Sequence, residues 1–582
     1  MRKLLMLLCV MFVCVTGASA ANYYFSDCAF GGAGTSGDPY CLDPDFDSVE
    51  ESFGILFDGV GTDIAAGDNV YLCAGACDGS GTATWQVLAN GQGSVLLDLT
   101  ASHNGDSENP ITFQSYAGEF ITLDGDTDEN GSFVCGPGSC EIKTFVDHEH
   151  AVGWKWSNIG FIHSGRQAFI FEDGCESCTF DNIRIEKVHE DIWDGTPGTG
   201  EPSEGTRDHA FHIGAASTGP DGMVFTNIDL IDINGSGWEV VGHARESEFD
   251  VWNFISIEDS TIDVGRAFFY GYGVLATIKD NFIDNTENGI HYGQDSTGLI
   301  SGNEITCSEG YDSEDCEYAI RIDEDPGLRN PDYYRYASQG PEIYNNEIWG
   351  DSDATVFLKR GIYWVQACVD DGPLAFTGGC TASENDIYNN MLRYIQDDGD
   401  LDSVGALHYK PIIDADYSPR IMYNTLHYTH WGIWVDNVDG TVLVRGNLST
   451  KGRFQSSDSG HTHYEMVIGE NVTTLTLQGN NNHWYTGSES VLKVDGTSYS
   501  CFSSMPGSGN ICLKPLYVKA DSGVSSTWDH HRVKNDEACY NKLSGSPNPS
   551  TDFDGNSRPI QGAYDCGADE RTYMCIQPCG IQ

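Results

Sequence analysis

The sequence predicts an all-β solenoid, a chain wound into stacked coils of short parallel strands, and three observations carry that expectation. One apolar phrase keeps returning: Arg266-Ala267-Phe268-Phe269-Tyr270, Asn288-Gly289-Ile290-His291-Tyr292, Tyr318-Ala319-Ile320-Arg321-Ile322, Arg360-Gly361-Ile362-Tyr363-Trp364, Gly405-Ala406-Leu407-His408-Tyr409 and Trp431-Gly432-Ile433-Trp434-Val435. Ahead of it runs a second series, in which Asn precedes an aliphatic residue: Asn158-Ile159, Asn182-Ile183, Asn227-Ile228, Asn281, Asn303, Asn346, Asn390, Asn424 and Asn447, with Ser260 filling the one gap. The interval from Asn281 to Asn303 is 22 residues and that from Asn424 to Asn447 is 23, a period that marks a repeat architecture. Finally, Gly, Asn and Asp separate the apolar runs, which makes the repeating unit a strand rather than a helix.

Each element of the phrase has a physical reading. Side chains alternate across a strand, so with the small residue first, the second and fourth positions face the core and the third faces out. The second positions are Phe169, Phe211, Trp238, Phe268, Ile290, Ile320, Ile362, Leu407 and Ile433. The third positions are mixed: Ile170, His212, Glu239, Phe269, His291, Arg321, Tyr363, His408 and Trp434. Fifth positions include Asp323, Lys410 and Asp436. The recurring Asn residues read as scaffold, because Asn tolerates the left-handed backbone of a sharp corner and stacked amides hydrogen-bond from coil to coil.

The ends of the chain carry different signals. Residues 1–20 hold Arg2 and Lys3, an apolar run from Leu4 to Val15 and Ala18-Ser19-Ala20, the pattern of a secretory leader. Residues 21–108 then form an N-terminal capping region with the first coils, 109–482 the body of the solenoid, and 483–582 a disulfide-rich C-terminal cap. Eighteen cysteines follow the leader, many in close couples such as Cys73 with Cys77, Cys135 with Cys140, Cys175 with Cys178, Cys307 with Cys316 and Cys368 with Cys380. An even count in an exported chain points to disulfides and to a secreted or periplasmic location. No later segment has the roughly 20 consecutive apolar residues of a membrane span.

Formal charge narrows the partners. With 87 acidic and 30 basic residues, a net of −57, the surface repels nucleic acid and anionic membranes. Against that background Arg321 and Lys410, in neighbouring columns, stand out. Coils about 4.8 Å apart would align His291, Arg321, Tyr363 and His408 over roughly 14 Å, the reach of a few sugar rings. The insertions after Asp323, after Val365 and before Ala406, with Tyr333, Tyr334, Tyr336 and Phe376, supply walls for such a line.

Two further stretches carry a family resemblance. Asp552-Phe553-Asp554-Gly555-Asn556-Ser557-Arg558-Pro559 with Gly562-Ala563-Tyr564-Asp565-Cys566-Gly567-Ala568-Asp569-Glu570 resembles the closing phrase of bacterial exported proteins of the pectate-lyase-like superfamily. Ala66-Gly67-Asp68-Asn69-Val70-Tyr71-Leu72 and Asn109-Pro110-Ile111-Thr112-Phe113 resemble its first coils. The resemblance implies a right-handed parallel β-helix with loop insertions and terminal caps over most of residues 21–570. It leaves activity open, since that fold serves polysaccharide lyases, glycosidases, epimerases and non-catalytic surface proteins.

The expected function is β-elimination of a uronic-acid-containing polysaccharide by a monomeric lyase. Arg321 would neutralise the carboxylate, Tyr363 or His408 would take the adjacent proton, and Lys410 would assist the leaving oxygen. His212, Glu239, Phe269, His291, Asp323 and Trp434 would contact the glycan. The lyase family of this fold nearest in pattern pairs a Lys base with an Arg one coil later, and Gly432-Ile433-Trp434-Val435-Asp436 has no such Arg. The alternatives are a glycoside hydrolase, for which Glu239 and Asp323 are too far apart but Asp208 with Glu239, or Asp323 with Glu324, could serve as the carboxyl pair, and a glycan-binding surface protein without turnover. Calcium is the expected cofactor if there is one: Asp124, Asp126 and Asp128 alternate as oxygen ligands can, and Asp398, Asp400 and Asp402 form a second acidic loop.

Overall fold

A computed structural model describes residues 20–26, 35–37, 39–41, 64–74, 77–79, 81–87, 95–100, 102–125, 144–149, 152–171, 175–188, 208–214, 222–241, 253–272, 274–293, 296–308, 315–323, 340–350, 358–366, 386–395, 405–411, 419–427, 429, 431–436, 442–450, 466–469, 483–485, 490–494, 496–500, 549–553, 556–558 and 568. Residues 1–19 of the expected leader lie outside them. So do the aromatic insertions and the acidic loop at Asp398, Asp400 and Asp402.

The strands stack as a parallel solenoid with three faces. On the first, Asn22–Ser26 pairs with Asn69–Cys73, which pairs with Ile111–Ser115, and the stack continues to Leu443–Arg445. A second face runs from Gly81–Gln86 to His483–Tyr485 and a third from Val95–Leu99 to Ser490–Val494. The strand pairings are parallel except for the closing hairpin of Ser490–Val494 with Thr497–Ser500, and one isolated antiparallel bridge joins Thr551 to Ser557. Long strands such as Thr261–Tyr272 and Phe282–Tyr292 turn a corner and serve two faces. Among the described residues no helix is long and apolar enough to cross a membrane.

The interior follows from the register. On the third face Val146, Phe169, Phe211, Trp238, Phe269, Ile290, Ile320, Ile362, Leu407, Ile433, Met466 and Leu492 form one inward column, all buried. Its N-terminal part is aromatic: Phe169 stacks on Phe211 at 5.2 Å and Phe211 on Trp238 at 5.4 Å, separations close to the coil rise, so each ring fills one layer. Three of the expected cysteine couples are disulfides, Cys73 with Cys77, Cys175 with Cys178 and Cys307 with Cys316. Cys135, Cys140, Cys368 and Cys380 lie outside the described residues.

The asparagine series divides into two columns, one residue apart in register. Asn158, Asn182 and Asn227 stand at a corner with φ of 56°, 55° and 54°, and Asp259, Asp280, Gly302, Asn345, Asn389, Tyr423 and Gly446 continue that left-handed column. At Gly302 a side chain would strike the Asp280 carboxylate. The next column inward begins with Ile159, Ile183 and Ile228 and changes at Ser260 to Asn281, Asn303, Asn346, Asn390, Asn424 and Asn447. These asparagines are buried. Each amide Nδ2 donates to the Oδ1 of the next at 2.9–3.0 Å and to the backbone carbonyl of a first-face isoleucine. The same Oδ1 accepts the backbone N–H of the preceding asparagine, so the amides join every layer to the next.

The C-terminal phrase lies on the flank of the stack. Asn389 donates to the Thr551 carbonyl at 2.8 Å, the Arg558 guanidinium covers the Tyr423 ring at 4.6 Å, and the Ala568 amide donates to Thr425 Oγ1 at 3.0 Å. Asp552, fully buried, accepts the Asn556 amide at 2.7 Å and fixes the turn.

Asn346→Leu is expected to destabilise the protein by about 3–5 kcal/mol in chemical denaturation, because it orphans buried groups on both neighbouring coils; a loss under 1 kcal/mol, about that expected for exposed Asn227→Ala, would remove the ladder's structural role. A second expectation concerns His148, which stacks on Phe171 at 4.7 Å with both ring nitrogens buried and, among the described residues, unbonded. Burial drives its pKa down to about 3. The unfolded imidazole takes a proton below about pH 6.5 while the folded one does not, so between pH 6 and 4 this group removes about 2–3 kcal/mol of stability. His148→Phe should flatten that limb in melting curves recorded against pH.

Candidate functional site

The corner between the second and third faces breaks strand alternation, and that break builds the site. Two outward columns flank it. The one after the corner reads Asp98, Asp147, Ile170, His212, Glu239, Tyr270, His291, Arg321, Tyr363, His408, Trp434, Val467 and Lys493. The one before it reads Thr144, Gln167, His209, Ser236, Ala267, Asn288, Tyr318 and Arg360. Together they form one strip along the solenoid axis, termed the groove, whose column before the corner is largely buried, with Tyr318 8% and His209 2% exposed.

The expected line of His291, Arg321, Tyr363 and His408 is in register on successive coils, and Lys410 lies beside its end, opposite Val365. Phe269 is a correction. It is fully buried in the inward column between Trp238 and Ile290, and Tyr270 holds the outward place. The reason is that Ala267 is not the anchoring small residue: it pairs with Ser236 and Asn288, one place ahead of Gly237 and Gly289. Phe268 fills the corner position instead, its ring 4.9 Å from Trp238.

Two residues of the line are covered rather than open. His408 is 2% exposed, its ring stacked on Trp434 at 4.4 Å and met edge-on by Tyr363 at 5.2 Å. His291 is 7% exposed beneath Tyr270, with centroids 4.6 Å apart. Trp431 packs against Trp434 at 4.8 Å and extends the aromatic platform.

The cationic centre is a two-by-two lattice of Tyr and Arg. Tyr318 and Arg321 lie on one coil, with Arg360 and Tyr363 at the same register on the next. The guanidinium of Arg321 lies 4.8 Å from the Tyr318 centroid, and that of Arg360 lies 4.7 Å from Tyr318 and 5.4 Å from Tyr363. Arg360 also donates to the Tyr318 hydroxyl. Stacking against rings fixes two flat cations, which suits them to a planar carboxylate. Tyr318 and Arg360 are site residues that alternation alone misses. They open their phrases, and strict period two from Ile320 and Ile362 assigns them to the core.

Toward the N-terminus the groove holds His209, His212 and Glu239. Glu239 Oε2 accepts from His209 Nε2 at 2.9 Å and from His212 Nδ1 at 2.8 Å. Burial alone would raise the Glu239 pKa, but the two imidazole hydrogen bonds prevail and hold the carboxyl well below its usual range. The bulge sets this geometry: Gly235 lies against the Asp208 backbone, where no side chain fits, and the Ser236 amide is delivered to His209 Nδ1 at 3.1 Å.

Among the described residues this trio alone brings three metal-ligating atoms together. Its donor set suits a transition metal rather than calcium, which takes oxygen. A metal-bound imidazole donates its other N–H, whereas His209 Nδ1 accepts one from Ser236, so with Nε2 on a metal the ring would have to lose both protons. The hydrogen-bonding pattern therefore fits a carboxylate clamped by two imidazoles, and no metal is assigned to it. Of the expected calcium ligands, only Asp124 is described; its Oδ1 lies 2.7 Å from His163 Nδ1. Asp126, Asp128, Asp398, Asp400 and Asp402 lie outside the described residues, as do the side chain of Asp323 and the loops that follow it.

No protein-family model matches the chain, and no curated protein matches it. Among solved structures it is similar to pectate lyase Pel9A, at 12% identity over 96% of this chain and 98% of that one, with a TM-score of 0.28. It is also similar to XylC in complex with xylose (10% identity, 94% and 98% of the two chains, TM-score 0.37). A mannuronic-acid-specific polysaccharide family 6 lyase from human gut microbiota gives 10% identity over 80% and 86%, with a TM-score of 0.35. Scores this low carry nothing about the site.

Glu239→Gln should lower the melting temperature at pH 7. The deficit should shrink as pH falls through the unfolded carboxyl range near 4.5, because the wild-type carboxylate stabilises the fold only while ionised. A deficit that stays constant down to pH 3 would show that charge is not what the imidazoles hold.

Proposed function

We propose that the protein is an extracytoplasmic polysaccharide lyase that cleaves a uronic-acid-containing glycan by β-elimination. The observation that carries this reading is the Tyr and Arg lattice, which concentrates two guanidiniums on adjacent coils of a chain whose net charge is −57. An anionic polymer is otherwise repelled by such a surface, so this is where a carboxylate finds its counter-charge.

The chemistry needs a cation at the carboxylate, a base at the neighbouring carbon and a proton for the departing oxygen. Arg321 and Arg360 hold the carboxylate and stabilise the negative charge that spreads into it as the proton leaves. Tyr363, half-buried and flanked by the Arg360 guanidinium, takes the proton in its phenolate form and becomes the phenol. Lys410, two residues beyond His408 on the following coil, protonates the leaving glycosidic oxygen, and a carbon–carbon double bond forms. His408 serves as the packed support that fixes Tyr363 from below, and Trp434 with Trp431 offers a stacking platform for the next sugar. Calcium held by Asp124, Asp126 and Asp128 or by Asp398, Asp400 and Asp402 would add further positive charge for the polymer.

The test is incubation with a panel of uronic-acid polymers, with calcium and with chelator, following the ultraviolet absorbance of unsaturated ends. Activity should fall about 10²–10⁴-fold in Tyr363→Phe and in Arg321→Ala. Reducing ends released without that absorbance would make the protein a hydrolase. Binding that depends on Trp434 without any product would make it a glycan-binding protein.

A further inference from the structure

The groove is electrically two-ended. Upstream of Tyr270 its column carries Asp98, Asp147 and the clamped Glu239, and downstream it carries Arg321 and Lys493, with Arg360 and Lys410 alongside and Asp436 on the coil next to Lys410. Arg266, near the acidic end, is paired with Glu287 at 3.4 Å. Glu239 and Arg321 are separated by three register steps, about 14 Å at the usual coil spacing. The Debye length at physiological salt is about 8 Å, so the two ends act on a bound polymer separately.

The acidic end is also fixed in place. His209 accepts the Ser236 amide at Nδ1 and donates to Glu239 from Nε2, which makes that ring neutral. It orients the carboxylate without cancelling its charge, and Glu239 keeps a single orientation between two rings. A rigid carboxylate of that kind accepts from neutral hydroxyls and repels another carboxylate, by about 1 kcal/mol at 4 Å even in water and by more where the groove excludes it.

We propose that the groove selects a mixed glycan, with a uronate seated on Arg321 and Arg360 and uncharged sugars lying over His212 and Glu239, and that Glu239 is the residue that rejects a uniformly charged polyuronate. This rests on the lyase reading for the identity of the ligand as a uronate polymer, and it adds which neighbours that uronate must have.

The test reads binding without turnover, in a Tyr363→Phe background at pH 8 and physiological salt, by calorimetric titration. The probes are an oligosaccharide of uronate alternating with neutral sugar and a homopolymeric uronate oligosaccharide of the same length. The alternating probe should bind at least about tenfold more tightly, equal to about 1.4 kcal/mol. Adding Glu239→Gln should raise affinity for the homopolymer about tenfold and change the alternating probe less than about twofold. Exposed Asp98→Asn, which leaves the imidazole clamp untouched, should shift the homopolymer in the same direction by a smaller factor. Equal affinity of the two probes for the parent, an equal effect of Glu239→Gln on both, or no binding of either probe to folded protein overturns the proposal. A preserved preference with no unsaturated product from wild-type protein would instead remove the lyase reading and leave the binding specificity standing.

Discussion

In-register parallel stacking is the constraint on which the rest of the molecule depends. Once each strand sits over its predecessor with the same residues paired, a side-chain type at one place in a coil becomes a column down the whole protein. The aromatic stack from Phe169 to Trp238, the asparagine amides and the polar groove are three expressions of that one condition. Each coil buries its apolar side chains only against its neighbours, so stability is a sum of interfaces between layers. Polar groups are admitted to the interior only where the repeat can satisfy them. Asn303, Asn346 and Asn390 qualify because the coils on both sides present matching donors and acceptors.

A column that repeats faithfully has no site in it, so function must come from departures. The bulge at Ile233 and Ser236 is one: it adds a residue ahead of the phrase on that coil and brings an amide to His209. The corner is another, because it sets Tyr318 and Arg360 beside Arg321 and Tyr363 and so joins two columns. Electrostatics then differentiates the groove's length. In a chain this acidic, cations held against aromatic rings on adjacent coils are a local reversal of the surface field, and the clamped carboxylate upstream is a local reinforcement of it.

Much of this was legible in the sequence, for reasons that also set the limit. The phrase around Ile290 and Ile320 announces strand, spacing and inward face together, and the line of His291, Arg321, Tyr363 and His408 follows from counting alone. Counting fails where the backbone adds a residue or turns. Ala267 looks like the anchoring small residue and so puts Phe269 outside, although Phe268 holds that place; separately, nothing in the composition of Asn234-Gly235-Ser236 distinguishes a bulge from an ordinary strand end. The asparagine series failed in a subtler way: Asn158 and Asn281 share a residue type and a corner but lie one place apart, one shaping the backbone and the other bonding layers. Burial was the least legible property, since an outward position such as His408 can be covered by its own column.

The tail that folds back across Asn389, Tyr423 and Thr425 bears on how the molecule comes apart. A stack held by nearest-neighbour contacts is a one-dimensional polymer, and such a polymer frays from its open ends, one layer at a time. A strap fastened to interior layers changes the order of events. The coils between it and the C-terminal hairpin can loosen while those under it stay joined, and the strap must detach before the zipper can run into the layers that carry the groove.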